Sequence, residues 1–183
     1  MAQTKNRDFV ILVDNEDREI GYCEKLKAHE LGYLHRAFSV FLFNDKQELL
    51  MQKRAYSKYH SGGLWTNTVC SHPVKGVNLI TCAQNRITEE LGIYDDLPEL
   101  TMAFPLLYRQ EVDKGLIEHE YDHVLVGRYN DTPEAFNPEE VDSLAYFSLD
   151  RIDRQLKDCP GEFTIWFQLL WPKVAAHLQN AYV

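Results

Sequence analysis

The sequence predicts an α+β fold, a mixed β-sheet with helices on its faces. Three observations carry this: short β-branched runs bounded by turn residues, one amphipathic helix near the middle, and two helices at the end. Asp8 to Val13 is a β-branched run that stops at the turn cluster Asp14-Asn15-Glu16-Asp17, and a second strand over Glu19 to Glu24 completes an N-terminal hairpin. Lys25 to Leu31 is a short helix closed by Gly32. Ala37 to Phe43 and Leu49 to Arg54 flank Asn44-Asp45-Lys46 as a second hairpin, and an extended piece, Leu64 to Cys70, follows Ser61-Gly62-Gly63. The clearest helix is Leu79 to Leu91: Asn78 caps it, Gly92 stops it, and Leu79, Ala83, Ile87 and Leu91 share one face. Met102 to Glu111 and Ile117 to Tyr129 are strands joined by a turn at Asp113-Lys114-Gly115, and Leu144 to Phe147 is one more. Helices over Asp150 to Lys157 and Thr164 to Gln179 end the chain, with Pro172 expected to bend the second.

At 183 residues one domain is the expectation, and such a chain buries enough surface to need no disulfides. The net charge of −9 makes a nucleic-acid partner unexpected, although a few focused cations can still hold a small anion. The longest apolar run, Ala37 to Phe43, falls well short of the ~18 residues of a membrane span. The first eight residues lack the apolar core of a signal peptide, and Cys23, Cys70, Cys82 and Cys159 show no paired spacing, so four free thiols in a cytoplasmic protein are expected. A monomer or weak homodimer is the expected state.

Glu118-His119-Glu120 lies inside a strand, so both glutamates point to one face, about 7 Å apart, while His119 joins Tyr121 and His123 on the other. Such carboxylates repel unless a proton or cation sits between them; the alternative is a solvated edge strand. His29, His35 and His72 could complete a five-ligand N/O site suited to Mn, Zn or Fe rather than Ca, although each alone could equally be a hydrogen-bonding residue. Cys82, on the helix, reads as an inert small hydrophobe, whereas Cys70, near His72 and Asn67, is a candidate functional thiol. Lys25, Arg54, Lys58 and Arg86 could line one cleft and hold a diphosphate, or be ordinary surface charge.

The helix ending Thr88-Glu89-Glu90-Leu91-Gly92 resembles the tail of the Nudix hydrolase box, whose glutamates hold Mg²⁺ against a diphosphate. Aligned on Gly92, the other box positions hold Ser71, Val77, Asn85 and Arg86, which argues for the fold without the hydrolysis. Together with Leu34-His35-Arg36-Ala37-Phe38-Ser39, Trp65-Thr66-Asn67-Thr68-Val69-Cys70-Ser71-His72-Pro73, Glu118-His119-Glu120 and the aromatic segment around Trp166, the sequence resembles the type I isopentenyl-diphosphate delta-isomerases, Nudix-fold and metal-dependent. The resemblance implies a Nudix-like core over about residues 34–165. It implies His29, His35, His72, Glu118 and Glu120 as ligands of one divalent metal (Mn, Zn or Mg), and Cys70 with Glu120 as the acid/base pair. Glu90 with the Cys70 carbonyl would take a Mg²⁺ shared with the substrate diphosphate. Lys25, Arg54, Lys58 and Arg86 would contact that diphosphate, and Tyr108 and Trp166 would lie beside the reacting carbons. The implied reaction interconverts isopentenyl and dimethylallyl diphosphate. Gly62, where many members have Pro, is expected to loosen its loop, and the N-terminal segment or terminal helix is expected to close as a lid. The rivals are a Nudix hydrolase of a nucleoside diphosphate derivative and a non-catalytic metal-binding module.

Overall fold

The computed structural model describes residues 8–181. Strands β1 (Phe9–Val13) and β2 (Glu19–Glu24) form the N-terminal hairpin, and α1 (Lys25–Leu31) follows directly. The Glu24 carboxylate accepts from the backbone N–H groups of Leu26 and Lys27, and Gly32 closes the helix in the left-handed conformation. The central strand is β3 (His35–Phe43), which runs parallel to β8 (Ile117–Arg128) along its whole length. β8 pairs on its other side with the outermost strand, β7 (Leu100–Glu111), where Pro105 is tolerated because an edge strand needs fewer ladder donors.

β4 (Leu49–Arg54) does not zip against β3 as the predicted hairpin; the two meet only at Phe43 and Leu49. They splay because Thr68 is inserted between them: its hydroxyl donates to the Leu50 carbonyl at 2.7 Å and accepts from the Leu42 N–H at 2.9 Å. The predicted extended piece is accordingly two strands. β5 (Trp65–Thr66) pairs with β4 and β6 (Val69–Ser71) pairs with β3. The buried Asn67 amide, donating to the Val40 and Val69 carbonyls, satisfies the backbone at the crossing. This crossing delivers Cys70 and His72 to the centre of the sheet. β9 (Val141–Phe147) covers the other edge of β4.

The sheet is packed on both faces. α2 (Leu79–Leu91) sets Ala83, Ile87 and Leu91 against Phe38, Val40 and Leu125. α3 (Leu149–Asp158) and α4 (Ile165–Ala181) cover the other face, with Phe167, Leu170, Trp171 and Val174 against Phe41, Met51 and Val124. α4 therefore belongs to the core and is not a lid, and it runs on through Pro172. The lid expectation for the N-terminal segment falls on residues 1–7, outside the described residues. No helix among the described residues is long and apolar enough to cross a membrane.

Gly92 ends α2 at φ 68°, where an added Cβ would lie 2.2 Å from the Ala135 carbonyl oxygen. Gly92→Ala is expected to cost about 2–4 kcal/mol, the sum of left-handed strain and a backbone clash. Urea unfolding checks this; an unchanged midpoint would refute it.

Candidate active site

The strand register builds the site. β7, β8 and β3 lie side by side, so Tyr108 opposes Glu120 and Glu120 opposes His35 in one row. The Tyr108 hydroxyl donates to Glu120 Oε2 at 2.5 Å, which leaves Oε1 at 3.1 Å from His72 Nε2 and 3.6 Å from His35 Nε2. One step along β8, Glu118 meets α1, with its Oε2 3.3 Å from His29 Nε2. Both glutamates are buried, as is Asp122 on the same face, so β8 is no solvated edge strand.

The backbone sets the histidine tautomers. His29 Nδ1 lies 2.7 Å from the Lys25 carbonyl and His35 Nδ1 lies 2.8 Å from the Tyr33 carbonyl. A carbonyl only accepts, so both Nδ1 atoms carry the proton and both Nε2 atoms present lone pairs to the carboxylates. His29 Nε2, His35 Nε2 and Glu118 Oε2 are all buried without a hydrogen-bond partner. Lone pairs converging on carboxylates in a buried place need a cation, and imidazole with carboxylate suits a divalent transition metal. Potential ligand atoms of His29, His35, His72 and Glu120 all lie within 4.8 Å of one another, and those of His29, His60 and Glu118 form a second such group.

The electrostatics agree with a cation-seeking site. Burial pushes His72 down to about 4, despite its bond to Glu120, so its imidazole is neutral near pH 7. Burial also opposes charge on His29, but the nearby Glu118 carboxylate outweighs it and raises its pKa. Asp122 is raised well above the carboxylate range by burial and by Glu120, and it accepts from Ser39 Oγ at 2.8 Å. Its carboxyl is the one of the three acids in this row that burial and its neighbours push toward the protonated form.

Cys70, Tyr108, Glu118, Glu120 and Trp166 line one cleft of roughly 290 Å³. The same cleft takes in all four predicted cations: Lys25, Arg54, Lys58 and Arg86. Burial raises the Cys70 thiol to about 12, so it is protonated at neutral pH. Arg54 Nη1 lies 4.0 Å from its sulfur, and the guanidinium sits 5.1 Å from the centre of the Trp166 ring. Trp166 is held there because the start of α4 is tied to β5, through Thr164 N–H to the Trp65 carbonyl and Thr164 Oγ1 to Thr66 Oγ1. Lys25 lies over the Tyr59 ring, and burial, with Lys58 and Arg86 nearby, lowers its pKa.

Glu90 stands apart from the metal-competent groups. One of its oxygens accepts from Gln52 at 2.8 Å and the other is paired with Arg86. Arg86 also reaches Glu140, which Lys58 bridges at 2.5 Å. Two of the predicted diphosphate contacts are thus engaged by Glu140, a residue the sequence reading passed over. His60 was passed over too: it sits in a loop without periodicity, and its only sequence signal was the neighbouring Lys58 and glycines. At Gly62 in that loop the Tyr56 carbonyl fills the space where a Cβ would lie, at 2.8 Å, so a larger residue would force the loop to shift. On the opposite face of β8, His119 bonds the Gly32 carbonyl and His123 bonds Asp17, structural roles away from the cleft.

The Nudix domain model matches residues 33–167. An isopentenyl-diphosphate Delta-isomerase from Pectobacterium atrosepticum is 46% identical over 93% of this chain and 93% of its own length. One from Photobacterium profundum is 45% identical, covering 93% of this chain and 94% of its own. Among solved structures, a Deinococcus radiodurans protein superposes with a TM-score of 0.73 at 17% identity, over 90% of this chain and 98% of its own. A MutT Nudix hydrolase from Burkholderia pseudomallei gives 0.59 at 18% identity, over 77% of this chain and 98% of its own; both likenesses speak to the fold. With isomerases matching at 45–46% identity over nearly the whole chain, laid over this sheet and cleft, the chain belongs to the isopentenyl-diphosphate Delta-isomerase family, on a Nudix domain.

Proposed function

We propose that the protein, as one catalytic unit, interconverts isopentenyl and dimethylallyl diphosphate through a tertiary carbocation. The observation that carries this is a protonated, half-buried thiol and a tyrosine-anchored glutamate in one cleft with four cationic side chains. The reaction adds a proton at C4 and removes one from C2, leaving the positive charge on C3 between the two steps. Cys70 and Glu120 are the two proton carriers. Tyr108 holds Glu120 Oε2 and so fixes which way that carboxylate presents its proton.

His29, His35, His72, Glu118 and Glu120 would hold one divalent cation, Mn, Zn or Mg. That cation, when bound, supplies the positive charge that sets the proton affinity of Glu120. Lys25, Arg54, Lys58 and Arg86 bind the diphosphate, with Lys58 and Arg86 exchanging Glu140 for phosphate oxygens. Glu90, with the Cys70 carbonyl, would hold the Mg²⁺ that accompanies the diphosphate. The Trp166 indole faces the developing cation, an attraction worth about 2 kcal/mol in a dry site. Its buried surroundings keep water from capturing that cation.

The Nudix-hydrolase alternative needs further carboxylates in and just before α2, and Val77 and Arg86 stand at two of those positions, with Asn85 where the box has its Arg. The test is proton NMR of isopentenyl diphosphate in D₂O with the metal-loaded protein and Mg²⁺. Deuterium appearing in dimethylallyl diphosphate is the expected result. Phosphate release without exchange would favour the hydrolase, and neither change would leave a binding module.

A further inference from the structure

The two proposed metal-binding glutamates are held in the same manner, by different residues. Glu120 gives one oxygen to the Tyr108 hydroxyl and turns the other toward His35 and His72. Glu118 has Oε1 3.1 Å from His60 Nε2 and turns Oε2, which has no hydrogen-bond partner, toward His29. Nothing in the five-ligand reading uses His60. It is buried, only 3% exposed, beside the buried glutamates of β8.

The loop that presents His60 is fastened at several points. Arg54 Nη2 donates to the His60 carbonyl at 3.2 Å, and Lys114 Nζ donates to the Tyr59 carbonyl at 2.9 Å. The Ser61 N–H donates to the Asp113 carboxylate at 2.8 Å, and Ser61 itself sits at φ 51°, in the left-handed region that a serine seldom occupies. Lys114 and Asp113 belong to the turn between β7 and β8, the two strands that carry Tyr108 and the glutamates. A strained residue held by that turn is the expected mark of a loop whose position matters.

One tautomer satisfies every atom of the ring. With the proton on Nε2, His60 donates to Glu118 Oε1, and Nδ1 accepts from the Ser61 hydroxyl at 3.1 Å. A donor fixed on one carboxylate oxygen leaves the second oxygen aimed at the metal position, as outer-shell partners of metal ligands do.

We propose that His60 is a positioning residue for the metal centre: it donates to Glu118 and holds the other oxygen of that carboxylate on the ion, without ligating the ion itself. This rests on the five-ligand reading given above, and the experiment separates the two. Mn²⁺ binding to wild type, His60→Ala and His60→Gln is measured by titration, with low-temperature EPR of the bound ion and electron spin echo detection of its imidazole nitrogens. Wild type is expected to bind one tight Mn²⁺ with three coordinated imidazoles. His60→Ala should weaken binding by about 10–100-fold and broaden the EPR spectrum while keeping three imidazoles. His60→Gln, whose amide N–H can reach the same oxygen, should recover most of the affinity and the wild-type spectrum.

His60→Ala binding Mn²⁺ within twofold of wild type, with an unchanged spectrum, would overturn the proposal. So would four imidazoles in wild type falling to three in the alanine variant, which would make His60 a ligand. If His60→Ala does not fold, His60→Gln decides by itself: near-native affinity with three imidazoles supports the role, and affinity lost in a folded protein refutes it. A wild type that binds no Mn²⁺, Zn²⁺ or Fe²⁺ would refute the metal centre as a whole, a different result from an unaffected His60→Ala.

Discussion

Cys70→Ala is expected to lower kcat by about a thousandfold while leaving bound metal at the wild-type level. The two halves of that expectation have separate physical grounds. The thiol belongs to neither group of metal-competent side chains, and its hydrogen-bond neighbour is Arg54, so its loss removes no ligand. It is nevertheless one of only a few proton carriers in the cleft, and burial keeps it protonated to about pH 12. The same shift makes a chemical prediction: at pH 8 its thiolate fraction is about 1 in 10,000, so iodoacetamide should modify the exposed Cys159 well before Cys70. Since the charged form is the disfavoured one, Cys70 labelling should rise about tenfold per pH unit up to that value. Isomerisation by Cys70→Ala within threefold of wild type would remove the thiol from the mechanism. Metal lost along with activity would mean that Cys70 supports the centre instead.

Glu120→Gln is expected to have the larger effect, because it strikes two functions with one atom. Oε1 faces His72 and His35 and Oε2 takes the Tyr108 hydroxyl, so a neutral amide cannot serve both sides. Metal affinity should fall by about a hundredfold, as expected when a charged ligand is neutralised, and the proton carrier is lost as well. Raising the metal concentration separates the two losses. Glu118→Gln, which the reading treats as a ligand only, should regain most of its activity at saturating metal. Glu120→Gln should stay at least a thousandfold down in kcat even when fully loaded. Equal recovery of both variants would show that Glu120 is a ligand and nothing more.

Local sequence rules carried the elements with strong local causes. α1 and α2 begin and end where their capping residues stand, with Gly32 and Gly92 both left-handed, because a cap acts within one turn of its own helix. β2 and β4 also run over the predicted residues. The predicted β3–β4 hairpin failed for a non-local reason: the Asn44-Asp45-Lys46 turn is real, but Thr68 competes for the backbone groups that would have closed the ladder. The terminal helix, assigned as a possible lid, became core because aromatic residues on it found the face of a sheet laid down far earlier in the chain.

For the site, the residues suggested the five proposed ligands, the thiol and the four cations, and the family resemblance added the tyrosine and the indole. Pattern alone also put Glu118 and Glu120 on one face, since alternation is a property of any strand. Only tertiary structure decided that this face is buried, that Tyr108 and His35 flank Glu120 in register, and that Glu140 already engages Lys58 and Arg86. His60 belongs wholly to this second kind. Its place beside Glu118 comes from a loop tied to a turn more than fifty residues away (Ser61 to Asp113 spans 52), and no local periodicity records such a contact. Short-range preferences are written into neighbouring residues, whereas the meeting of distant side chains depends on how strands pair and which groups remain to be satisfied once they have.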